Sequence, residues 1–245
     1  MTLRVRTAVC LLGAAGVAVL LALAFFKMPS FGGDWHPYRD LVRPIGALHA
    51  TPNLISSVNF DIRALDTLGE ESIVAASVVG VLSLLQPSKE ERKSIEPAER
   101  PVASAVKLAG YLMLPVTVLL GLDVVLHGHL TPGGGFQGGV VLVTGWHLLY
   151  ISGSYPALAR LRPIDWCEYA EAAGIGLYAV TGILGLGLGT EFLANFLPTG
   201  QAGALISAGI VPVLSILVGI AVAGGFLVLL AQFLEQSLIR EGSDS

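Results

Sequence analysis

Acidic and histidine side chains recur at helical spacing within or beside the apolar stretches of this 245-residue chain. Asp66 and Glu70 are four residues apart, so a helix would present both on one face. Carboxylate oxygens suit hard cations such as Na+, and this pair could bind a cation and exchange it for protons. The alternative is local structure, because Thr67 and Glu70 have the spacing of a capping box. In that alternative, Asp61 simply pairs with Arg63.

A second group of such residues lies near the end of a later apolar segment. Asp123 and His127 are one helical turn apart and share a face, so they could pass protons or hold a cation. The alternative for both residues is hydration at the membrane surface. His129 follows within a glycine-rich stretch, where a structural hydrogen bond and proton transfer are both open.

Three further ionisable residues complete the candidates. His147 stands beside Trp146, a residue type that prefers the membrane interface, so it is either a packing histidine or a member of a proton relay. Glu168 and Glu171 are three residues apart at the start of another apolar segment. They could form a cytoplasmic entry for ions, or a hydrated helix start that the helix dipole favours.

The composition indicates a membrane protein. Hydrophobic residues make up 53% of the chain and charged residues only 13%, whereas a soluble domain usually has about 25% charged residues. The net charge is −4, and the chain has no basic stripe of the kind that would indicate nucleic acid as a partner. Cys10 and Cys167 have neither metal-site spacing nor a disulfide framework, and we expect both to be packing residues.

Six apolar segments predict the fold class, which is an all-α integral membrane protein with about six transmembrane helices. They are residues 7–26, 71–86, 107–127, 136–153, 170–190 and 205–234. The second segment is short, and we expect its helix to include part of the preceding LDTLGEES. The last segment is long, and we expect it to tilt or to extend beyond the membrane.

The distribution of Lys and Arg predicts that both termini are cytoplasmic. With the N-terminus inside, ten such residues fall on the cytoplasmic side and four outside, namely Lys27, Arg39, Arg43 and Arg63. The protein is therefore expected to be a multi-pass protein of the cell inner membrane. The first segment has features of a signal peptide, but its apolar run is long, and we expect a retained helix.

A glycine-rich stretch, HGHLTPGGGFQGGVVLVTG, spans residues 127–145. Gly133, Gly135 and Gly138 fit the G-x-G-x-x-G spacing of dinucleotide-binding proteins, which requires a strand before the motif and an acid about 20 residues after it. Here a helix-length apolar segment precedes the motif and no acid lies near position 158. The stretch therefore predicts packing and no nucleotide, with Pro132 ending one helix and Gly135 and Gly139 allowing close helix approach in the next.

The same stretch resembles a family signature. GHLTPGGGFQGGV is similar to the signature of the MnhB/MrpB family, the B-type subunits of multisubunit cation/proton antiporters. The matching residues are Gly128, His129, Pro132, Gly133, Gly134, Gly135, Phe136, Gly138 and Gly139. Leu130 stands where the family usually has Asn. The resemblance covers residues of about 105–235 and implies four helices.

A second resemblance lies in the N-terminal part. VNFDIRALDTLGEESIVAASVVGVLSLL, residues 58–85, is similar to a segment of the E-type subunits of membrane-bound hydrogenases and to the C-terminus of the large A-type subunits of antiporters. The resemblance implies that Asp66 and Glu70 matter for transport. We therefore predict a two-helix E-type unit over 1–86, a cytoplasmic linker over 87–104 and a four-helix MnhB/MrpB-like domain over 105–245.

The two resemblances imply a membrane subunit of a multisubunit Na+/proton antiporter that helps to form the ion path and to hold the complex together. The implied partners are other antiporter-type subunits (A-, C-, D-, E-, F- and G-like) and the lipid bilayer. No cofactor is expected beyond the transported Na+ and H+. A second hypothesis is that the chain belongs to the ion-translocating module of a redox-driven complex. A third hypothesis is a purely structural scaffold. The sequence contains no nucleophile–base pair and no cofactor motif, so it does not predict an independent enzyme.

Overall fold

The computed structural model describes residues 3–28, 32–34, 36–85, 102–152 and 164–243. Within those ranges the chain forms helices and no strands, which confirms the all-α prediction. The α-helices are α1 (Leu3–Phe26), α2 (Pro37–Leu48), α3 (Leu54–Ser57), α4 (Ala64–Leu85), α5 (Ser104–Leu126), α6 (Gly135–Ile151), α7 (Ile164–Gly187) and α8 (Val211–Ser243). A π-helix, Val58–Ile62, lies between α3 and α4.

The chain divides into two compact units between Asp40 and Leu41, within α2. The first unit contains α1, whose membrane-length stretch Thr7–Phe26 has no buried residue. The second unit contains the helices from α3 to α8. The predicted boundary at the linker stays a prediction, because residues 86–101 lie outside the described residues, as do Arg160 and Arg162 of the charge count.

The core of the second unit lies around α8. This helix packs against α4, α6 and α7, while α5 packs mainly against α6. Leu214, Val218, Val222 and Val228 of α8 are almost fully buried, and over half of its membrane-length stretch is buried. A helix that is apolar on all sides belongs in a protein interior or a membrane, and α8 occupies the interior of this bundle.

Five of the helices are long and apolar enough to cross a membrane. They contain the stretches Thr7–Phe26, Ala64–Leu85, Ser104–Leu126, Asp165–Gly187 and Val211–Phe233. The remaining long helix, α6, has 17 residues and a length of about 25 Å, near the lower limit for a spanning helix. The membrane architecture is as expected, while the count of six spans and the orientation of the termini stay predictions.

The structure confirms one predicted helix boundary and corrects another. The helix of the second segment begins at Ala64 and so includes LDTLGEES, as expected. The last helix begins at Val211, so the predicted start at 205 was wrong. The side chain of Asn195 accepts a hydrogen bond from the Ile210 N–H and donates one to the Ala208 carbonyl. These bonds stabilise a turn where the apolar sequence alone predicts helix.

Candidate functional site

A tight turn, residues 127–134, joins α5 to α6 and is called the glycine turn below. Gly133 and Gly134 have φ angles of +147° and +146°, which residues with side chains rarely adopt. Gly128 packs so closely against Gly134 that a Cβ on Gly128 would lie 2.6 Å from the Cα atom of Gly134. Pro132 is exposed at the tip. The glycines of the turn therefore serve its backbone conformation and its internal packing.

The first turns of α6 contact two neighbouring helices through glycines. A Cβ on Gly135 would lie 2.1 Å from the Ser215 carbonyl oxygen of α8, and one on Gly139 would lie 2.9 Å from Val222 Cβ. Gly138 faces the other way, where a Cβ would lie 2.4 Å from a methyl group of Val125 in α5. This is the geometry that the packing interpretation of the glycine-rich stretch requires.

Phe136 and the turn are fixed by contacts with other segments. The Phe136 ring packs edge-on against Phe226 of α8, with 6.1 Å between the ring centroids. Asn53, just before α3, donates side-chain hydrogen bonds to the carbonyls of Gly128 at 2.7 Å and Thr131 at 2.8 Å. Sequence reasoning missed Asn53, because its partners lie more than 70 residues further along the chain.

The predicted pair Asp66 and Glu70 lies at the start of α4 and is called the outer carboxylates below. Both residues are exposed in the single chain, and both line one open cavity of about 450 Å³. Asp66 forms an ion pair with Arg63 at 2.5 Å. Glu70 also lines a second cavity, of about 240 Å³, beside the glycine turn. The structure thus brings the two residues to one wall, as their spacing predicts.

The alternative explanation of these residues by local structure was wrong in two respects. Thr67 is the fourth residue of α4 and not its N-cap, because the helix begins at Ala64. Its hydroxyl donates instead to the Asn59 carbonyl of the π-helix at 2.7 Å. Asp61 does not pair with Arg63, because its side chain is buried and its Oδ2 atom lies 2.5 Å from His49 Nδ1.

Glu71, which sequence reasoning passed over, is the buried acid of α4. It is only 3% exposed, and its Oε2 atom has no hydrogen-bond partner among the described residues. It lines the smaller cavity together with Glu70. In the structure it lies on the buried face of α4, on which Ala64, Thr67, Glu71 and Val78 follow each other at helical intervals, but the sequence pattern does not show which face of this helix is buried.

The predicted pair Glu168 and Glu171 is divided between two environments. Glu168 is exposed, whereas Glu171 is 8% exposed with an unpartnered Oε1 among the described residues. A Cβ on Gly225 would lie 2.8 Å from this Oε1, so the Glu171 side chain lies against α8. The same Cβ would lie 3.3 Å from a methyl group of Val78, so Glu171 also lies beside α4, the helix of Glu71. Glu71 and Glu171 are called the buried carboxylates below.

The buried carboxylates lie on two helices that contact each other. The Tyr178 hydroxyl of α7 donates to the Ala64 carbonyl at the start of α4 at 2.9 Å. Glu71 is seven residues after Ala64 and Glu171 is seven residues before Tyr178, so the backbone of each acid lies about 10 Å along its own helix from the residue that makes this contact.

The histidine candidates occupy three different environments. His127 Nδ1 is 2.9 Å from Asp123 Oδ1, and this pair is exposed at the end of α5. His147 is half-buried, with Nδ1 3.1 Å from the Val143 carbonyl of its own helix. His129 is fully buried, and its ring nitrogens make no hydrogen bond of good geometry to a described residue. Burial lowers the pKa of His129, while weaker polar contacts with the backbone of Ala204 and Leu205 raise it and so partly offset the effect of burial.

Comparison with known sequences gives a family match and several relatives. Residues 105–228 match the family model of a domain related to the MnhB subunit of Na+/H+ antiporter. An uncharacterized protein of Methanocaldococcus jannaschii is 31% identical over 198 residues, which cover 71% of this chain and 74% of that protein. A Bacillus subtilis relative, named as the B subunit of a Na(+)/H(+) antiporter, is 30% identical over 38% of this chain and 61% of its own length.

A longer relative and two solved structures extend this comparison. The relative from Rhizobium meliloti is named as the probable A/B subunit of a K(+)/H(+) antiporter, and it is 30% identical over 51% of this chain, a match that spans only 15% of that relative. A chain of the membrane-bound sulfane sulfur reductase, an archaeal respiratory membrane complex, has a TM-score of 0.72 and 26% identity, with 94% of this chain and 98% of that chain covered. A chain of the Mrp complex from Dietzia sp. has the same fold, with a TM-score of 0.68 and 24% identity. The match covers 95% of this chain and 26% of that chain.

Proposed function

This chain belongs to the family of domains related to the MnhB subunit of Na+/H+ antiporters, and from that premise we propose that it is a membrane subunit of a multisubunit monovalent cation/proton antiporter. Its role is to form part of the ion path and to hold neighbouring subunits, which makes it a component of a transporter and not an independent enzyme. The relatives named as antiporter subunits support this proposal, although the chain spans only 15% and 61% of their lengths.

The observation that carries the proposal is the buried carboxylate pair. Ionisable side chains within membrane-spanning helices are costly and are retained where they handle ions or protons. Glu71 and Glu171 lie on two helices that pack against each other, and each has a carboxylate oxygen without a hydrogen-bond partner among the described residues. A purely structural scaffold gains nothing from two such groups, because an apolar residue of similar size would pack there without a desolvation cost.

The outer carboxylates provide an approach to this pair. Glu70 lines both the open cavity beside Asp66 and the smaller cavity beside the glycine turn, and Glu71 lines the smaller one. A cation that enters between Asp66 and Glu70 therefore meets Glu71 next. Glu171 lies beyond it on α7, the helix that packs against α4. We place the ion path of this protein along these four acids.

Neutral substitutions of the buried acids test the proposal. Glu71→Gln and Glu171→Gln keep size and remove charge, so the complex should assemble in normal amount while cation-dependent proton exchange falls at least tenfold. The measurement is dye-reported exchange in membrane vesicles that contain the full set of subunits, with co-purification as the assembly control. Glu168→Gln is the matched control, because it removes an exposed acid one turn away. Wild-type exchange in both buried variants would refute the ion-path role.

A second candidate function is favoured by one observation. The chain covers almost all of one chain of an archaeal respiratory membrane complex at 26% identity. The same ion path would then serve a redox-driven complex in place of a stand-alone antiporter. Purification of the native complex separates the two candidates: redox subunits and electron-donor-dependent cation movement favour the second, whereas exchange driven by a pH gradient alone favours the first.

A further inference from the structure

We propose that Glu70, Glu71 and Gln137 form a binding site for a single monovalent cation beneath the glycine turn, in which Glu71 holds either that cation or a proton. This inference rests on the proposed function and specifies where the exchanged ions compete. It adds a residue of α6, Gln137, and a residue of α4, Glu71, that neither the motif spacing nor the family signature identified.

The site is the cavity of about 240 Å³ between the start of α4 and the glycine turn. Its wall contains six side chains with oxygen atoms, which are Ser56, Asn59, Thr67, Glu70, Glu71 and Gln137. Gln137 Oε1 would lie only 3.2 Å from a Cβ on Gly134, so the missing side chain at that glycine leaves the amide room beside the cavity. Phe60, Phe136 and Val218 complete an apolar side of the wall.

The charges of the residues in the cavity wall indicate that its ligand is a cation. Glu70 and Glu71 line the cavity, while no Lys, Arg or His is among the described residues that line it. The nearest described guanidinium along the chain, that of Arg63, is paired with Asp66 in the neighbouring open cavity. A buried carboxylate must be neutralised by a proton or by a cation beside it, because an unpaired charge in an apolar interior is strongly unfavourable. Glu71, at 3% exposure, meets that condition.

The ligand types indicate the class of cation. Carboxylate, amide and hydroxyl oxygens suit hard cations, whereas transition metals favour imidazole and thiolate ligands. The wall has a single deeply buried carboxylate, so one positive charge neutralises it and a second would have no buried partner. A proton on Glu71 and a monovalent cation beside it are therefore mutually exclusive. Cation entry at this site displaces one proton from the Glu71 carboxylate, and proton return releases the cation.

The site is shared between two segments that are distant in sequence. Glu70 and Glu71 come from α4, whereas Gln137 comes from α6 and lies two residues after the start of that helix. Asn53 and Ser56 hold the glycine turn in place by donating hydrogen bonds to its Gly128 carbonyl. The site is complete only when the two segments are packed together, which ties cation binding to assembly of the bundle.

The test is proton release from the purified complex without turnover. In weakly buffered detergent solution, adding NaCl or KCl at constant ionic strength with choline chloride should release protons, read with a pH dye. Glu71→Gln should abolish this component of the release. Gln137→Met keeps size but removes the amide oxygen, and should raise the cation concentration for half-maximal release roughly tenfold. Glu168→Gln should match the wild type.

Two results would overturn this site while leaving the proposed function open. One is wild-type release in both Glu71→Gln and Gln137→Met, with exchange in vesicles still impaired by Glu71→Gln, which would place Glu71 in a proton path only. The other is equal release by MgCl2 or CaCl2 at concentrations far below those needed for NaCl, which would exclude a monovalent site. Failure of the proposed function has a different signature, which is unimpaired exchange in vesicles for both buried-carboxylate variants.

Discussion

Glu70 and Glu71 are neighbours in sequence, yet the two carboxylates belong to regions with opposite physical properties. Glu70 and Asp66 are exposed in the single chain and share a wall with Arg63, so water and a nearby cation stabilise their charge. Glu71 and Glu171 are packed into the bundle with carboxylate oxygens that no described residue satisfies. The outer carboxylates can therefore attract ions at little cost, whereas the buried carboxylates must exchange one neutralising ion for another.

The largest effect is expected from a change that moves α6 away from the core. Gly135→Ala places a Cβ within 2.1 Å of the Ser215 carbonyl, so α6 and α8 must separate and the buried region should lose its packing. We expect little or no complex to be recovered by co-purification. Gly69→Ala is the control beside the outer carboxylates, where a Cβ has no neighbour within 4 Å, and it should stabilise α4 by about 0.5–1 kcal/mol. Equal recovery of the two variants would contradict the comparison.

The next effect concerns the attachment of the glycine turn to α3. Asn53→Ala leaves the carbonyls of Gly128 and Thr131 without these donors, which should lower the free energy of unfolding by about 1–3 kcal/mol. The thermal stability of the purified complex measures it. Ser72→Ala is a suitable control, because that hydroxyl bonds only to the Leu68 carbonyl of its own helix and is exposed. A similar loss of stability in both variants would show that the glycine turn does not depend on Asn53.

A smaller effect is expected from Asp66, the outer carboxylate that does not line the smaller cavity. Asp66→Asn leaves the proposed ligand Glu70 in place and should reduce exchange about two- to fivefold at low salt, since exposed charge interactions are worth roughly 0.2–1 kcal/mol. The reduction should shrink as ionic strength rises, because salt screens exposed charges more than buried ones. The measurement is exchange in vesicles at two ionic strengths. A salt-independent loss as large as that of Glu71→Gln would show that Asp66 belongs functionally with the buried carboxylates.

The smallest effect concerns pH and the buried His129, which lies outside the membrane-length helices. Burial lowers the pKa of His129 below its usual value of about 6.5, so the folded state prefers the neutral ring. Its contribution to stability is complete above pH 6.5 and is lost as the pH falls through the lowered value. The melting temperature of the purified complex should therefore be a few °C lower at pH 5 than at pH 8. In His129→Gln this drop should be smaller, and an unchanged drop would assign the pH dependence to other groups.

Much of the fold follows from the sequence, because its signals are local. The apolar segments predict an all-α membrane protein, and LDTLGEES extends the helix that the second segment predicts. The glycines at 135 and 139 predict close helix approach, which the structure has against α8. These features depend on residue size and spacing within one segment, and a single sequence contains that information.

The candidate site was harder to predict, because its signals are not local. The sequence of α4 is apolar around most of its circumference, so the pattern does not say which side faces α8, and Glu71 looks no more buried than Glu70. Asn53 meets the glycine turn across more than 70 residues of chain. The start of α8 depends on the side chain of Asn195, which no helix pattern includes. Each of these features is decided by tertiary contacts.

The contact between Asn53 and the glycine turn has a consequence for how such a protein can be encoded. Its bonds run from side chains of one segment to backbone carbonyls of another, more than 70 residues further along the chain. The fit is made by these noncovalent contacts and does not itself require that the two segments be covalently continuous. The same docking surface works whether the two segments are translated as one polypeptide or as two, and gene fusion or fission can occur here without redesigning the interface.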